Sequence, residues 1–242
     1  DGFQEVDILG ICLPIVKHSW LVRDAADIPS ILAEAFAIAS EGRAGPVLVD
    51  IPKDIAASYV AVSSAATFPE WTAPEPDAAA IKAANALIEQ SKHPLFYIGG
   101  GVEMAHASQE LRDLVARTGI PAVSTLKGLG TIPTTDDLFL GMLGMHGTRA
   151  ANIAVQDADL LIALGARFDD RATGKLNAFA PNAKIIHCDI DPAEINKLRR
   201  ADVAVVGDLK KTIASLNPKV SGIQKWVEKC KADKWEHRFK YN

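Results

Sequence analysis

From residue 77 to about 217, short apolar runs trade places with stretches whose apolar residues recur at helical spacing. Pro94–Ile98, Pro121–Thr125, Asp159–Leu164, Ala183–Ile190 and Val203–Val206 are apolar runs of strand length, and glycine follows three of them at Gly99, Gly165 and Gly207. Between and after them, Asp77–Gln90, Met104–Thr118, Thr148–Gln156, Pro192–Leu198 and Leu209–Leu216 read as helices, while Lys127–Phe139 reads as a polar loop. Continuous rather than alternating apolar strands suit a sheet covered on both sides. The alternation predicts an α/β fold: a doubly wound parallel sheet with helices on both faces, joined by right-handed crossovers.

The chain before this region has a different pattern. Asp27–Ser40 carries Ile28, Ile31, Leu32, Ala35, Phe36 and Ala39 on one helical face, with Asp27 placed to cap it. Pro14–Val22 is short and mixed; Pro46–Ile51 (PVLVDI) predicts a buried parallel strand with Lys53 and Asp54 at its carboxyl end. One helix and one strand cannot bury a core alone, so residues 1–56 read as the tail of something larger: either they pack on the following domain or their partners lie outside this chain. Residues 57–76, rich in Ala, Ser and Pro, read as a linker, and 77–217 as the doubly wound domain. Residues 218–242 are polar and read as an exposed helix or linker; Trp226 and Trp235 within them predict docking against another surface.

Composition narrows the function classes. The chain has 242 residues, 48% of them hydrophobic, and a net charge of −4. That mild acidity gives no support to nucleic-acid binding, which needs a basic patch. No apolar run approaches the roughly 20 residues of a membrane helix. The acidic start, DGFQEVDILG, lacks the regions of a signal peptide. Cys12, Cys188 and Cys230 are scattered, with no C-x-x-C and no histidine cluster beside them, so neither a disulfide framework nor a metal site is expected. A reducing, cytoplasmic setting follows.

Candidate chemistry gathers between Leu143 and Arg171. A Gly-rich turn (Gly144, Gly147) opens a helix, an apolar strand follows, and Gly165 delivers Arg167, Asp169, Asp170 and Arg171. Neither G-x-G-x-x-G nor G-x-x-x-x-G-K-[ST] occurs, so the common nucleotide fingerprints do not apply. Ligands of open α/β sheets bind outside the carboxyl ends of the strands. Several such ends carry suitable groups: Gly99, Gly100 and Gly101 for close backbone approach, the Thr125 hydroxyl, the Arg167 and Arg171 guanidinium forks, Asp189 and Asp208. Taken singly each has a plainer reading, a turn glycine or a helix-capping aspartate. Jointly they predict one nucleotide-binding edge.

At these residues the chain resembles a known family. GRAGPVLVDIPKDI (42–55), YIGGGV (97–102), LGMLGMHGTRAAN (140–152), LGARFDDRATGKL (164–176) and IIHCDIDPAEINK (185–197) resemble the large catalytic subunit of acetohydroxyacid synthase, in the family's order and over nearly the whole chain. Single segments recur in pyruvate oxidase and glyoxylate carboligase, which stay open as alternatives, as does a non-catalytic nucleotide-binding module. The resemblance implies a thiamine-diphosphate-dependent enzyme of three domains, in which this chain supplies the end of the pyrimidine-binding domain, the central FAD-binding domain and a linker toward the pyrophosphate-binding domain. It implies condensation of pyruvate with pyruvate or 2-oxobutyrate, with loss of CO2, in branched-chain amino acid biosynthesis. It further implies a homodimer or larger assembly, with a small regulatory subunit as an additional partner. The family's activating glutamate and its GDG…N motif for Mg2+ and diphosphate find no match here, so the chain alone is expected to be inactive.

Site residues follow from the same resemblance. Arg43 matches an FAD-contacting arginine. Gly99, Gly100, Gly101, Thr125, Leu126, Leu143, Gly144, Met145, His146, Arg167, Asp189, Ile190 and Asp208 match FAD-lining segments. Arg171 matches the arginine that receives the second substrate's carboxylate, a task suited to a planar fork. Phe3, Gln4, Lys53 and Met145 match positions near the substrate channel, Gln4 among the catalytic set. For Phe3 and Met145 plain packing is the rival reading, and for Lys53 a solvated strand-end charge. The flavin's implied role is structural, without net redox work.

Overall fold

The computed structural model describes residues 5–61, 67 and 71–238, and the chain divides into two units, Asp1–Ala73 and Pro74–Asn242. In the first unit, α1 (Ile8–Cys12) is capped by Asp7, whose carboxylate accepts the Gly10 N–H at 2.9 Å. Then come β1 (Ser19–Leu21), α2 (Ile28–Ser40), β2 (Leu48–Asp50) and α3 (Lys53–Ala56). β1 and β2 pair in parallel, Ser19 opposite Leu48. Two details depart from expectation. Asp24, not Asp27, makes the capping bond, accepting the Ala26 N–H at 2.9 Å to open a turn of 3-10 helix ahead of α2, while Pro29 sits in the first turn of α2. The PVLVDI strand is only half-buried, because β1 is its single neighbour among the described residues.

The second unit contains α4 (Ala78–Gln90), β3 (Pro94–Ile98), α5 (Gly101–Met104), α6 (Ser108–Thr118), β4 (Ala122–Ser124), β5 (Phe139–Met142), α7 (Arg149–Asp157), β6 (Leu160–Leu164), α8 (Asp170–Thr173), β7 (Lys184–Asp189), β8 (Val203–Val206), α9 (Leu209–Ser215) and α10 (Gln224–Glu236). Its six strands lie in the order β5-β4-β3-β6-β7-β8, and every neighbouring pair is parallel. One face packs Phe96, Ile98, Ile162, Leu164 and Ile186 under α4, α6 and α9. The other packs Leu95, Tyr97, Leu161, Ala163 and Ile185 under α7 and α10. All residues of β3 and β6 are buried, as continuous apolar strands require when both faces are covered.

Differences from the sequence reading have local causes. β5 begins at the last residue of what read as a polar loop and runs through 140–142, which carried no assignment; it is four residues long and contains Gly141 at φ 105°, a residue that weakens strand patterns. The helix expected from Met104 breaks at His106 (φ 50°), which separates α5 from α6. The helix read at Pro192–Leu198 shrinks to a 3-10 turn, Pro192–Glu194. The polar tail is no exposed linker as far as Glu236: α10 packs on the sheet, with Trp226 buried, stacked on His93, and its indole N–H donating to the Pro94 carbonyl at 2.9 Å. The docking surface for this tryptophan is thus its own domain, while Trp235 stays exposed with the Arg238 guanidinium 3.6 Å from its ring centre.

Candidate cofactor site

Because all six strands run the same way, every loop that leaves a carboxyl end emerges at one edge of the sheet. Gly99–Gly101 leave β3, Thr125 and Leu126 leave β4, and Leu143, Gly144, Met145 and His146 leave β5. Arg167 and Arg171 follow β6, Asp189 ends β7 with Ile190 next, and Asp208 follows β8. From β3 the chain winds outward through β4 to β5; from β6 it winds the other way through β7 to β8. The reversal therefore lies between β3 and β6, where open α/β sheets leave a crevice for ligands.

At the reversal point the two turns meet backbone to backbone. The Gly99 N–H donates to Leu164 O at 2.9 Å and the Gly101 N–H to Gly165 O at 3.1 Å. A Cβ on Gly99 would lie 1.9 Å from Gly165 O, and one on Gly101 2.7 Å from Gly165 Cα. Gly165 itself has φ 58°. These glycines let two turns touch; Gly100 packs on Lys127 instead, whose Cβ would be 2.9 Å from a Cβ there.

Two loops meet above the edge although their strands are three places apart in the sheet. After β6, Phe168 adopts φ 59°, a conformation that non-glycine residues hold only when packing enforces it. Its buried ring sits edge-on to Tyr97 and His187, 5.2 Å from each centre. The chain beyond it reaches the loop after β5, where the Met145 N–H donates to Arg171 O at 3.0 Å. Gly144 (φ 94°) fits against the same carbonyl, with a Cβ there only 2.4 Å away. From α7, Asn152 holds both polar groups of Gly144: Oδ1 accepts its N–H at 2.8 Å and Nδ2 donates to its carbonyl at 3.0 Å. Thr148 caps α7 by accepting the Ala151 N–H, and its hydroxyl donates to Leu140 O.

Charge is distributed unevenly along the edge. Arg167 and Arg171 are exposed, and neither guanidinium makes a hydrogen bond or ion pair among the described residues. Asp189 is 8% exposed; its Oδ1 accepts the Asp191 N–H at 3.0 Å, and burial raises its carboxyl above the ordinary range. The His187 ring donates through Nε2 to Ala166 O at 2.9 Å and lies 4.0 Å from Asp189 Oδ2. Burial lowers the pKa of this imidazole, so the ring is a neutral donor that ties β7 to the turn carrying Arg167. Burial pushes the Cys188 thiol up to about 12, which makes it a core residue rather than a nucleophile. Asp208 caps α9, accepting the Lys211 N–H at 2.9 Å. Thr125 is half-buried, and Leu126 and Met145 are exposed apolar groups on the same edge.

The structure thus brings thirteen of the sequence-derived positions to one edge, with Arg171 at the loop contact above it. Arg43 and Lys53 are exposed residues of the first unit, and Phe3 and Gln4 lie outside the described residues. Sequence reasoning missed Asn152, Phe168 and His187. The first had a signal: an asparagine inside a helix, four residues past the capping threonine, is a poor helix former and implies a hydrogen-bonding task. No group of three or more metal-ligating side chains occurs among the described residues, and no helix is long and apolar enough to cross a membrane.

Comparison with known proteins agrees with the α/β fold. The family model described as "Thiamine pyrophosphate enzyme, central domain" matches residues 81–216. The chain is 49% identical to the acetolactate synthase isozyme 2 large subunit of Escherichia coli K12, over all of this chain and 44% of that protein. It is 56% identical to the acetolactate synthase large subunit of Parasynechococcus marenigrum and 54% identical to the acetolactate synthase of Mycobacterium leprae, in both cases over 89% of this chain. It spans 36% and 35% of those two proteins, so it corresponds to less than half of the curated relatives' length.

Proposed function

The chain belongs to the thiamine pyrophosphate enzyme family and carries that family's central domain, and from this premise we propose that it is part of an acetolactate synthase catalytic subunit. The whole protein joins pyruvate to a second 2-oxo acid, pyruvate or 2-oxobutyrate, in the branched-chain amino acid route of the cytoplasm. The bond between C1 and C2 of the first pyruvate breaks, CO2 leaves, and C2 forms a new bond to the carbonyl carbon of the second acid. Thiamine diphosphate, held with Mg2+ by other parts of the protein, supplies the centre that stabilises the carbanion. A homodimer or larger assembly, with a small regulatory subunit, belongs to the same reading. In the same reading residues 1–56 are the C-terminal part of the pyrimidine-binding domain, 57–76 a linker, 77–217 the central FAD-binding domain and 218–242 the segment leading toward the pyrophosphate-binding domain.

This chain's share is an FAD site on the carboxyl edge. The residues fit the group. The reversal point is where open α/β sheets take their ligands, and Arg167 is an exposed cation with no partner to displace among the described residues. Asp189 offers Oδ2 to a hydroxyl while its Oδ1 is held by the Asp191 N–H. Leu126 and Met145 present apolar surface to a flat ring. FAD performs no net redox step in this reading. Arg171 receives the carboxylate of the second acid in two parallel hydrogen bonds, which fixes the carbonyl for attack. In the same reading Arg43 is assigned to FAD binding and Lys53 and Met145 to the substrate channel, as are Phe3 and Gln4, which lie outside the described residues.

The observation that carries the reading is the convergence of all these strand ends on one edge, across the reversal between β3 and β6. Its test is product analysis of the full-length protein. Pyruvate is expected to yield acetolactate and CO2 without oxygen consumption; stoichiometric oxygen uptake would assign an oxidase instead. Titration with FAD is expected to change flavin fluorescence, and a flat titration into the millimolar range rules the flavin site out.

A further inference from the structure

We propose that Asn152 is a positioning residue for Arg171, acting through the Gly144–Met145 turn; for its catalytic meaning this rests on the role given to Arg171 above. Arg171 belongs to α8, a single four-residue turn with no fully buried residue, whose one core contact is the partly buried Ala172. What holds its backbone from outside is the loop after β5: the Met145 N–H bonds its carbonyl, and Gly144 packs against that oxygen. That loop contains Gly144 and Gly147, residues with much freedom to lose. Asn152 removes the freedom by satisfying Gly144 on both sides at once. Its own backbone is fixed in α7, whose Ala151, Ala154 and Val155 are buried in the core. The line of force therefore runs from the core, through one side-chain amide, to one turn, to the carbonyl of the substrate-binding arginine.

The geometry is specific to asparagine. Aspartate would keep the bond to the Gly144 N–H but set an oxygen against the Gly144 carbonyl. Alanine would lose both bonds and leave two backbone groups to find water. The core contacts of Ala151, Ala154 and Val155 do not involve the Asn152 side chain, so either change loosens the turn without removing the helix.

The test uses the full-length protein with Asn152→Ala and Asn152→Asp, and Gly144→Ala as an independent break of the same contact. Gln156→Ala, one turn further along α7 and exposed, is the control. Asn152→Ala is expected to raise KM for the second 2-oxo acid about tenfold, the scale of one to two lost hydrogen bonds. The rate of the first decarboxylation and the flavin absorption spectrum are expected to stay at the parent's values. Gly144→Ala, whose Cβ would press on the Arg171 carbonyl, should also raise KM for the second acid, and Gln156→Ala should not. Equal loss in both half-reactions, or an unchanged KM, overturns the positioning role. A second measurement stands apart from the catalytic reading: amide exchange in Asn152→Ala should quicken in 143–147 and 170–173 together. Exchange confined to 143–147 overturns the coupling itself, whereas a parent protein that makes no acetolactate overturns only the reading beneath it.

Discussion

The middle of the carboxyl edge and its outer flank are built from different materials. Between β3 and β6 the edge is backbone against backbone: Gly99 and Gly101 on one turn, Gly165 on the other, with two inter-turn hydrogen bonds. At β7 and β8 it is carboxylate: Asp189 buried at one strand end, Asp208 capping a helix at the next. The first arrangement has no slack, because a single added carbon meets a carbonyl oxygen. The second has slack, because each aspartate satisfies a backbone N–H and still keeps acceptor capacity for a ligand. The floor sets shape, and the flank can be tuned without disturbing it.

The sharpest way to break this contrast is Gly99→Ala. The new Cβ would sit 1.9 Å from Gly165 O, and both partners are backbone of buried strand ends. A loss of about 3 kcal/mol or more is expected in denaturant unfolding, at the upper end for overpacking. Gly119→Ala is the calibrating partner. Gly119 ends α6 at φ 66°, with nothing within 4 Å of a Cβ, so only conformational strain remains, about 1 kcal/mol. Equal losses at the two sites would show that the floor is no tighter than an ordinary helix end.

The same contrast explains what the sequence disclosed. The apolar runs at 94–98 and 159–164 were legible as buried strands because both faces of each are covered, so no polar alternation interrupts them. PVLVDI carries an equally apolar run yet is half-buried, since burial depends on neighbours that a local pattern cannot report. β5 was hidden by Gly141, and the docking of α10 by its eight polar residues, which outnumber the two buried side chains, Trp226 and Cys230. At the site, strand-end residues could be read because parallel topology sends all of them to one edge. Which glycines serve packing could not: Gly99 meets Gly165, 66 positions on, and only the fold brings them together. The Asn152 clamp and the Phe168 turn depend on similar tertiary contacts.

On the flank, Asp208→Ala should cost about 1 kcal/mol, the usual price of a lost helix cap. Asp208→Ser keeps an oxygen for the Lys211 N–H, so its stability is expected to return to within a few tenths of a kcal/mol of the parent. FAD titration of Asp208→Ser then separates the residue's two tasks. Weaker binding at restored stability marks a ligand contact, and unchanged binding leaves Asp208 as a cap alone.

Asp189→Asn gives the smallest change in stability and the most informative pH dependence. Burial raises the Asp189 carboxyl above its ordinary value of 3.8, chiefly by desolvation, against the lowering effects of the Asp191 N–H and His187. A carboxyl whose pKa is higher in the folded state binds its proton more tightly there. Its contribution is therefore complete below pH 3.8 and is lost as pH rises through the raised value. Asparagine has no such titration and can still accept the Asp191 N–H. The variant should accordingly gain on the parent as pH rises from 3.8 toward neutrality, then hold a constant margin, in paired thermal melts across that range. A margin that shrinks with rising pH would mean the carboxylate is stabilised in the fold, and the flank would then owe its place to structure. A margin that grows, with weaker FAD binding at pH 7, identifies a charge kept buried at the expense of stability for the sake of the ligand.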